Sequence, residues 1–174
     1  MTPEERIELI PLLEASREEF LDAASGISEA QASAKPGPGK WSVLECVEHV
    51  ATVEERFLKR LETAPRSNAP RVDKQKELDL AARVPDRTVR AEAPEPARPT
   101  GRFASLAEAM DRFNANRAQT IRFAKDSAAE LYWLSLDHPR FGPMNGSEFM
   151  VVIASHARRH AAQIRETKTA LGIV

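Results

Sequence analysis

The chain of 174 residues contains a single cysteine, Cys46. One thiol closes no disulfide within the chain, and without a Cys-x-x-Cys pair there is no thiolate zinc site. Charge of one sign is also lacking. Against 26 Asp+Glu stand 25 Lys+Arg, a net charge of −1, so the basic footprint of a nucleic-acid binder is missing. No apolar run approaches the ~20 residues of a membrane span. The opening MTPEERIELIPLLEASREEF has no basic stretch ahead of an apolar core and does not read as a secretory signal. The expected compartment is the cytoplasm, with neither membrane nor nucleic acid among the partners. Sustained period-two alternation is absent too, so no sheet is expected.

Four segments carry a helical apolar period, each behind the same punctuation. Thr2-Pro3-Glu4-Glu5, Ser42-Val43-Leu44-Glu45, Ser105-Leu106-Ala107-Glu108 and Asn145-Gly146-Ser147-Glu148 all place a capping side chain three residues ahead of a glutamate. In that pattern the cap accepts an orphan helix N–H and the glutamate returns one. The first helix is expected over about 3–25, with Ile7, Ile10, Leu13, Phe20 and Leu21 inward, Pro11 either kinking it or reducing its first turns to a separate short piece, and Gly26 ending it. The second is expected over about 42–63, with Val43, Val47, Val50, Phe57 and Leu61 on one face. The third, about 105–130, turns Leu106, Met110, Phe113, Ile121 and Ala124 inward. The fourth, about 146–171, turns Phe149, Val152, Ile153 and Ile164 inward. Helices of about 20 residues are ~30 Å long and suit a four-helix bundle. The expected fold is thus all-α, in one domain over 1–174. The six prolines of 64–104 make that stretch an irregular crossover, with a short helix over 73–83. A connection of that length lets the second and third helices lie side by side in the same direction.

Without thiolates, a metal or acid–base site must draw on the four histidines. His156 and His160 stand four apart, about 6 Å at Cβ, a spacing that suits two ligands of one metal. At ~100° per residue they fall within about 40° of each other, in the middle of the fourth helix's apolar stripe. Two adjacent core imidazoles are hard to satisfy by hydrogen bonds alone. The local pattern leaves two readings open: a metal pair, or two semi-buried, hydrogen-bonded histidines. His49 falls at the edge of the second helix's stripe. His138, before Pro139 in a loop, reads as a turn residue. Glu45, Glu48 and Asp137 are acidic alternatives for a ligand or base, with Glu45 better explained as the cap partner. Arg117 interrupts the third stripe, either to hold an anionic substrate group or to snorkel from the bundle edge. Arg158 and Arg159 are expected at solvent, Cys46 in the core, Trp41 packed on a neighbouring helix, and Gln163 packing or supporting the site.

Three stretches resemble one family. Trp41-Ser42-Val43-Leu44-Glu45-Cys46-Val47-Glu48-His49-Val50 is similar to the W-S-x-x-E-x-x-x-H opening of the second helix in the DinB-like superfamily. His138-Pro139-Arg140-Phe141-Gly142-Pro143 is similar to its H-P-x-F-G-P lead-in to the last helix. His156 to Ile164 is similar to its H-x-x-x-H-x-x-Q-I signature. The branch resembled is that of the YfiT-type metal-dependent hydrolases. The resemblance implies a four-helix bundle with up-up-down-down topology and a homodimer. It also implies a divalent metal on three histidines, here His49, His156 and His160.

Three neutral imidazoles leave coordination positions open, which is the catalytic pattern. Such a site lowers the pKa of bound water or activates a thiolate. The expected function is therefore a metal-dependent hydrolase or thiol S-transferase acting on a small molecule, with a low-molecular-weight thiol as one partner and no protein group evident as the base. Zinc or nickel leads, with iron, cobalt or manganese also suited. The alternatives are a non-catalytic metal-binding stress or interaction protein, and a helical dimerisation module whose histidine pair binds no metal.

Overall fold

The helix starts follow from their caps. In the computed structural model, which describes residues 8–173, Ser42 and Asn145 close full capping boxes with Glu45 and Glu148. Ser105 accepts from the Glu108 N–H, but Glu108 reaches one residue further back, to the Ala104 N–H. The Thr2 cap and Ile7 lie outside the described residues. Four long helices result: α1 (Leu9–Ala24), α3 (Val43–Glu62), α5 (Leu106–Asp126) and α6 (Gly146–Ala170). Pro11 takes the third helical position of α1, where its missing N–H removes no helix bond. It marks the helix start and is not an interior kink. Gly26 and Gly172 follow α1 and α6 with φ of +73° and +67°, the left-handed conformation expected of helix stops.

Two short helices complete the set. The expected crossover helix is α4 (Lys74–Arg83), capped by Asp73. The other, α2 (Glu29–Ser33), was not expected, although Ser28-Glu29-Ala30-Gln31 closes its own capping box. The Glu29 carboxylate accepts from the Leu106 and Ala107 N–H groups and so caps α5 from outside.

The expectation of no sheet is corrected by a small antiparallel hairpin, β1 (Leu136–His138) with β2 (Gly142–Met144). Strands of three residues are too short to show alternation, and Gly142 turns between them at φ +69°.

Helix directions follow from the two apolar clusters. One gathers Leu13, Leu61, Ile121 and Phe149, the early part of α1 and α6 with the late part of α3 and α5. The other gathers Phe20, Val43, Leu106 and Ile164, the opposite parts. So α1 and α6 run one way and α3 and α5 the other. Surface pairs agree, since Arg158 reaches Glu19 while Lys168 reaches the Ala23 and Ser25 carbonyls. Around the bundle α1 neighbours α6 and α5, and α3 neighbours α5 and α6. The four-helix bundle stands, and α3 and α5 lie side by side in one direction as the long crossover allows. The chain order is up-down-down-up, in place of the up-up-down-down implied by the resemblance. Of the three connections between the long helices, the one between α3 and α5 returns along the bundle; the other two reverse direction.

A polar belt separates the clusters. Arg117 is fully buried, neither at the bundle edge nor at a substrate. Its Nε and one terminal nitrogen donate to the two Glu54 carboxylate oxygens at 2.6 and 2.9 Å. Its other terminal nitrogen donates to the Leu13 carbonyl and the Ser16 hydroxyl at 2.8 and 2.6 Å. Beside it Asn116 donates to the Ala51 carbonyl. These bonds tie α1, α3 and α5 together at mid-height.

At the far edge of the α3–α6 groove, the His138 ring stacks on Phe141 and meets Phe57 edge-on. Its Nδ1 accepts from the Arg140 N–H. Burial, then the charges of Arg60 and Arg140, push its pKa down to about 4.

Two outcomes test this frame. Arg117→Ala should cost about 3–5 kcal/mol in chemical denaturation by stranding Glu54, while joint replacement of Arg117 and Glu54 by leucine should cost less than the sum of the single changes. A sum that adds simply would contradict the coupling. Between pH 6.5 and about 4 the unfolded chain takes up a proton at His138 that the folded chain refuses. This residue therefore lowers stability as pH falls through that window. His138→Asn, which keeps an acceptor for Arg140, should lose less stability than the parent between pH 7 and pH 5.

Candidate metal centre

His49 lies two turns into α3, and α6 brings His156 and His160 one turn apart to face it. The His49 Nε2 is 3.2 Å from the His156 Nε2, and the His160 Nε2 is 3.1 Å from the same atom. The three ligand nitrogens lie within 4.8 Å of one another. His49 and His160 are buried, 4% and 7% exposed, while His156 is partly exposed. Trp41 packs against both flanking rings, with centroids 4.9 Å from His49 and 6.3 Å from His160, nearly parallel to the latter. It packs on the candidate ligands themselves.

Proton bookkeeping shows why hydrogen bonding does not satisfy this cluster. The His49 Nδ1–H donates to the Ala97 carbonyl at 2.6 Å, which leaves its Nε2 as a bare lone pair. The His156 Nε2 has one in-plane position, a proton or a lone pair, yet faces two neighbours. At most one of the two contacts can be a hydrogen bond. A second proton is resisted: burial, then the other imidazoles, and then Arg159, hold His156 and His160 well below the usual imidazole pKa. Burial lowers His49 as well, against the opposing pull of the Ala97 carbonyl. The His160 Nδ1 is buried with no partner among the described residues.

A cation fits these donors. Ligand nitrogens at ~2.0–2.1 Å around a tetrahedral ion stand about 3.3 Å apart, and around an octahedral ion about 2.9 Å. The two separations made by the His156 Nε2, 3.2 and 3.1 Å, fall between these values, and the third pair closes the triangle within 4.8 Å. His138 stays with its phenylalanines, outside the cluster.

The walls come from the crossover. On the α6 side, Arg159 donates to the carbonyls of Val84, Asp86 and Val89. It is 8% exposed, so its expected place at solvent is corrected. Three residues at ~100° put it only about 60° from His156, on the face that the crossover covers. Arg158 does stay at the surface with Glu19. On the α3 side, Glu48 accepts from the Thr100 and Arg102 N–H groups at 2.6 and 3.1 Å, and Arg56 donates to the Pro96 carbonyl. Residues 84–102 thus pass from α6 to α3 alongside the histidines. The acidic alternatives have other work. Glu45 caps α3, Glu48 anchors the crossover, and Asp137 sits in the hairpin with its carbonyl bonded to Arg60. Cys46 is fully buried, its thiol pushed up to about 12 by burial, a neutral core residue as expected. Gln163, one turn beyond His160, accepts from Arg87 at 3.3 Å. The part least visible in the sequence is the Ala97 carbonyl, because it reaches His49 through backbone placement of the crossover.

Comparison with known proteins agrees with this architecture. The uncharacterized protein YuaE of Bacillus subtilis (strain 168) is 24% identical over 153 residues, 88% of this chain and 93% of that protein. YfiT from Bacillus subtilis, whose structure is described as a "probable metal-dependent hydrolase with an unusual four-helix bundle topology", superposes with a TM-score of 0.63 at 15% identity, covering 100% of this chain and 91% of that one. TT2238, described as a four-helix bundle protein, superposes with a TM-score of 0.51 at 21% identity, covering 94% and 97%. The family model of the DinB superfamily matches residues 12–164, a span that includes α3, the crossover and the histidines of α6. The chain belongs to the DinB superfamily.

Proposed function

We propose that this protein is a metal-dependent enzyme acting on a small molecule, with a divalent ion held by His49, His156 and His160. The observation that carries the reading is the convergence of three imidazole Nε2 atoms that no arrangement of protons satisfies. Three protein ligands, one partly exposed, are the pattern of a site with a position left for substrate. A divalent ion there supplies Lewis-acid activation of a water or of a small thiol, hence hydrolysis or thiol S-transfer. Zinc or nickel suits an all-imidazole set best, and iron, cobalt or manganese is also accommodated. The description of YfiT as a metal-dependent hydrolase supports the same class of activity.

The chain's own residues do the positioning. The Ala97 carbonyl fixes the His49 tautomer and ring orientation, so that Nε2 is the atom presented. Trp41 packs against the rings of His49 and His160. Arg159 and Glu48 hold the crossover in place, which restricts water access from that side.

Metal loading tests the proposal. Dialysis against zinc or nickel should leave one ion per chain by elemental analysis. His156→Ala and His160→Ala should each weaken retention at least tenfold, and His138→Asn should not. Chelation should lower the unfolding midpoint, since an ion present at 100 times its Kd contributes about 2.7 kcal/mol. Stoichiometric metal retained by His156→Ala would contradict the assignment, as would an unfolding midpoint insensitive to chelation.

A further inference from the structure

Between Val84 and Phe103 the crossover buries one residue, Ala97. A single alanine offers too little apolar surface to fix the path of that segment, so polar bonds decide it. Arg159 takes the near end through three carbonyls. The far end lies along α3. Arg56 donates to the Pro96 carbonyl at 3.1 Å, and the His49 Nδ1–H to the Ala97 carbonyl at 2.6 Å. The two carboxylate oxygens of Glu48 accept from the Thr100 and Arg102 N–H groups at 2.6 and 3.1 Å.

The bonds of His49 and Glu48 have opposite polarity. From adjacent positions of one helix, His49 donates and Glu48 accepts. The crossover answers with an acceptor at Ala97 and, three residues on, with donors. The pair therefore fixes the register of the segment on α3 as well as its distance. The Thr100 and Arg102 N–H groups face one carboxylate because Gly101, between them, takes φ +78°. Left-handed backbone of this kind gathers neighbouring N–H groups into an anion-binding nest. Glu48 is 3% exposed, and its bonds to the nest are charge-assisted.

This anchoring reaches the histidine cluster through one atom, the Ala97 oxygen. An acceptor on Nδ1–H raises the basicity of Nε2 as a ligand, and electron withdrawal at Nε2 makes Nδ1–H a stronger donor. Ion binding and a docked carbonyl therefore favour each other. We infer that Glu48 is a positioning residue of the metal centre: by holding the nest at Thr100–Arg102 it sets the Ala97 carbonyl on His49, so that docking of residues 96–102 and binding of the ion form one coupled equilibrium. This inference rests on the metal reading above and deepens it, since the crossover becomes a working part of the site as well as its wall.

Two readouts on the full-length protein test it. One is zinc affinity, by competition with a chromophoric chelator. The other is hydrogen exchange of the Thr100 and Arg102 amides with and without zinc. Glu48→Ala should weaken zinc binding about tenfold or more, the range for loss of a ligand's supporting partner, and Glu48→Gln, which keeps one acceptor oxygen, should weaken it less. Gly101→Ala introduces a Cβ that meets nothing within 4 Å, so it disturbs only the left-handed backbone. It should weaken zinc binding with helix content unchanged, and Gly101→Asn, which tolerates that conformation, should recover most of the loss. Because coupling is reciprocal, zinc should slow exchange of the two amides by a factor similar to that lost in Glu48→Ala. Zinc affinity unchanged in Gly101→Ala would overturn the inference even where Glu48→Ala fails to fold, as would zinc that leaves both amides exchanging at the same rate. Either result, in a parent that binds zinc, leaves the metal reading standing. A parent that retains no zinc would overturn both.

Discussion

Three imidazole Nε2 atoms converge in one pocket, and no set of protons satisfies every contact between them. That constraint organises the centre of this bundle. His49 spends its only proton on the Ala97 carbonyl, and His156 cannot donate to both neighbours at once. Burial and neighbouring charge oppose further protonation of the cluster. A divalent ion answers the same need without a proton. On the proposed metal reading, ion binding offsets the cost of bringing three imidazoles together.

The bundle supplies rigidity where this convergence needs it. The Arg117–Glu54 pair, with Ser16 and Asn116, ties three helices at mid-height between two apolar clusters. A buried pair of this kind is weak evidence for stability in itself. Its geometry restricts how α1, α3 and α5 can shift, and α3 carries His49. The crossover completes the arrangement from outside. Arg159 beside one histidine and Glu48 beside another hold successive parts of one segment. The wall of the site is therefore anchored on the same two helices that carry the candidate ligands.

Much of this was legible in the sequence, for physical reasons. Caps are local, so Ser42, Ser105 and Asn145 located three helix starts within a residue. The i, i+4 spacing of His156 and His160 is likewise local, and their mid-stripe position already implied a shared direction. His49 sat at a stripe edge and entered through motif resemblance. The structure explains the edge: the groove between α3 and α6 is where an edge residue must lie to meet a partner. Tertiary facts were illegible. A helical wheel showed that Arg117 interrupts a stripe but not that Glu54 awaits it across the core. The hairpin at 136–144 was too short for periodicity, and the up-down-down-up order follows from which connection spans the bundle. The path of 84–102 depends on side chains of two distant helices, so its composition announced only irregularity.

The central claim is that three Nε2 atoms hold one ion. A crystal structure of protein saturated with zinc, with anomalous data collected on both sides of the metal edge, tests it most directly. The account predicts a single strong peak within about 2.0–2.2 Å of the Nε2 atoms of His49, His156 and His160, with the Ala97 carbonyl still on the His49 Nδ1–H. A metal-free triangle of imidazoles at saturating zinc, or an ion bound through other residues, would contradict it.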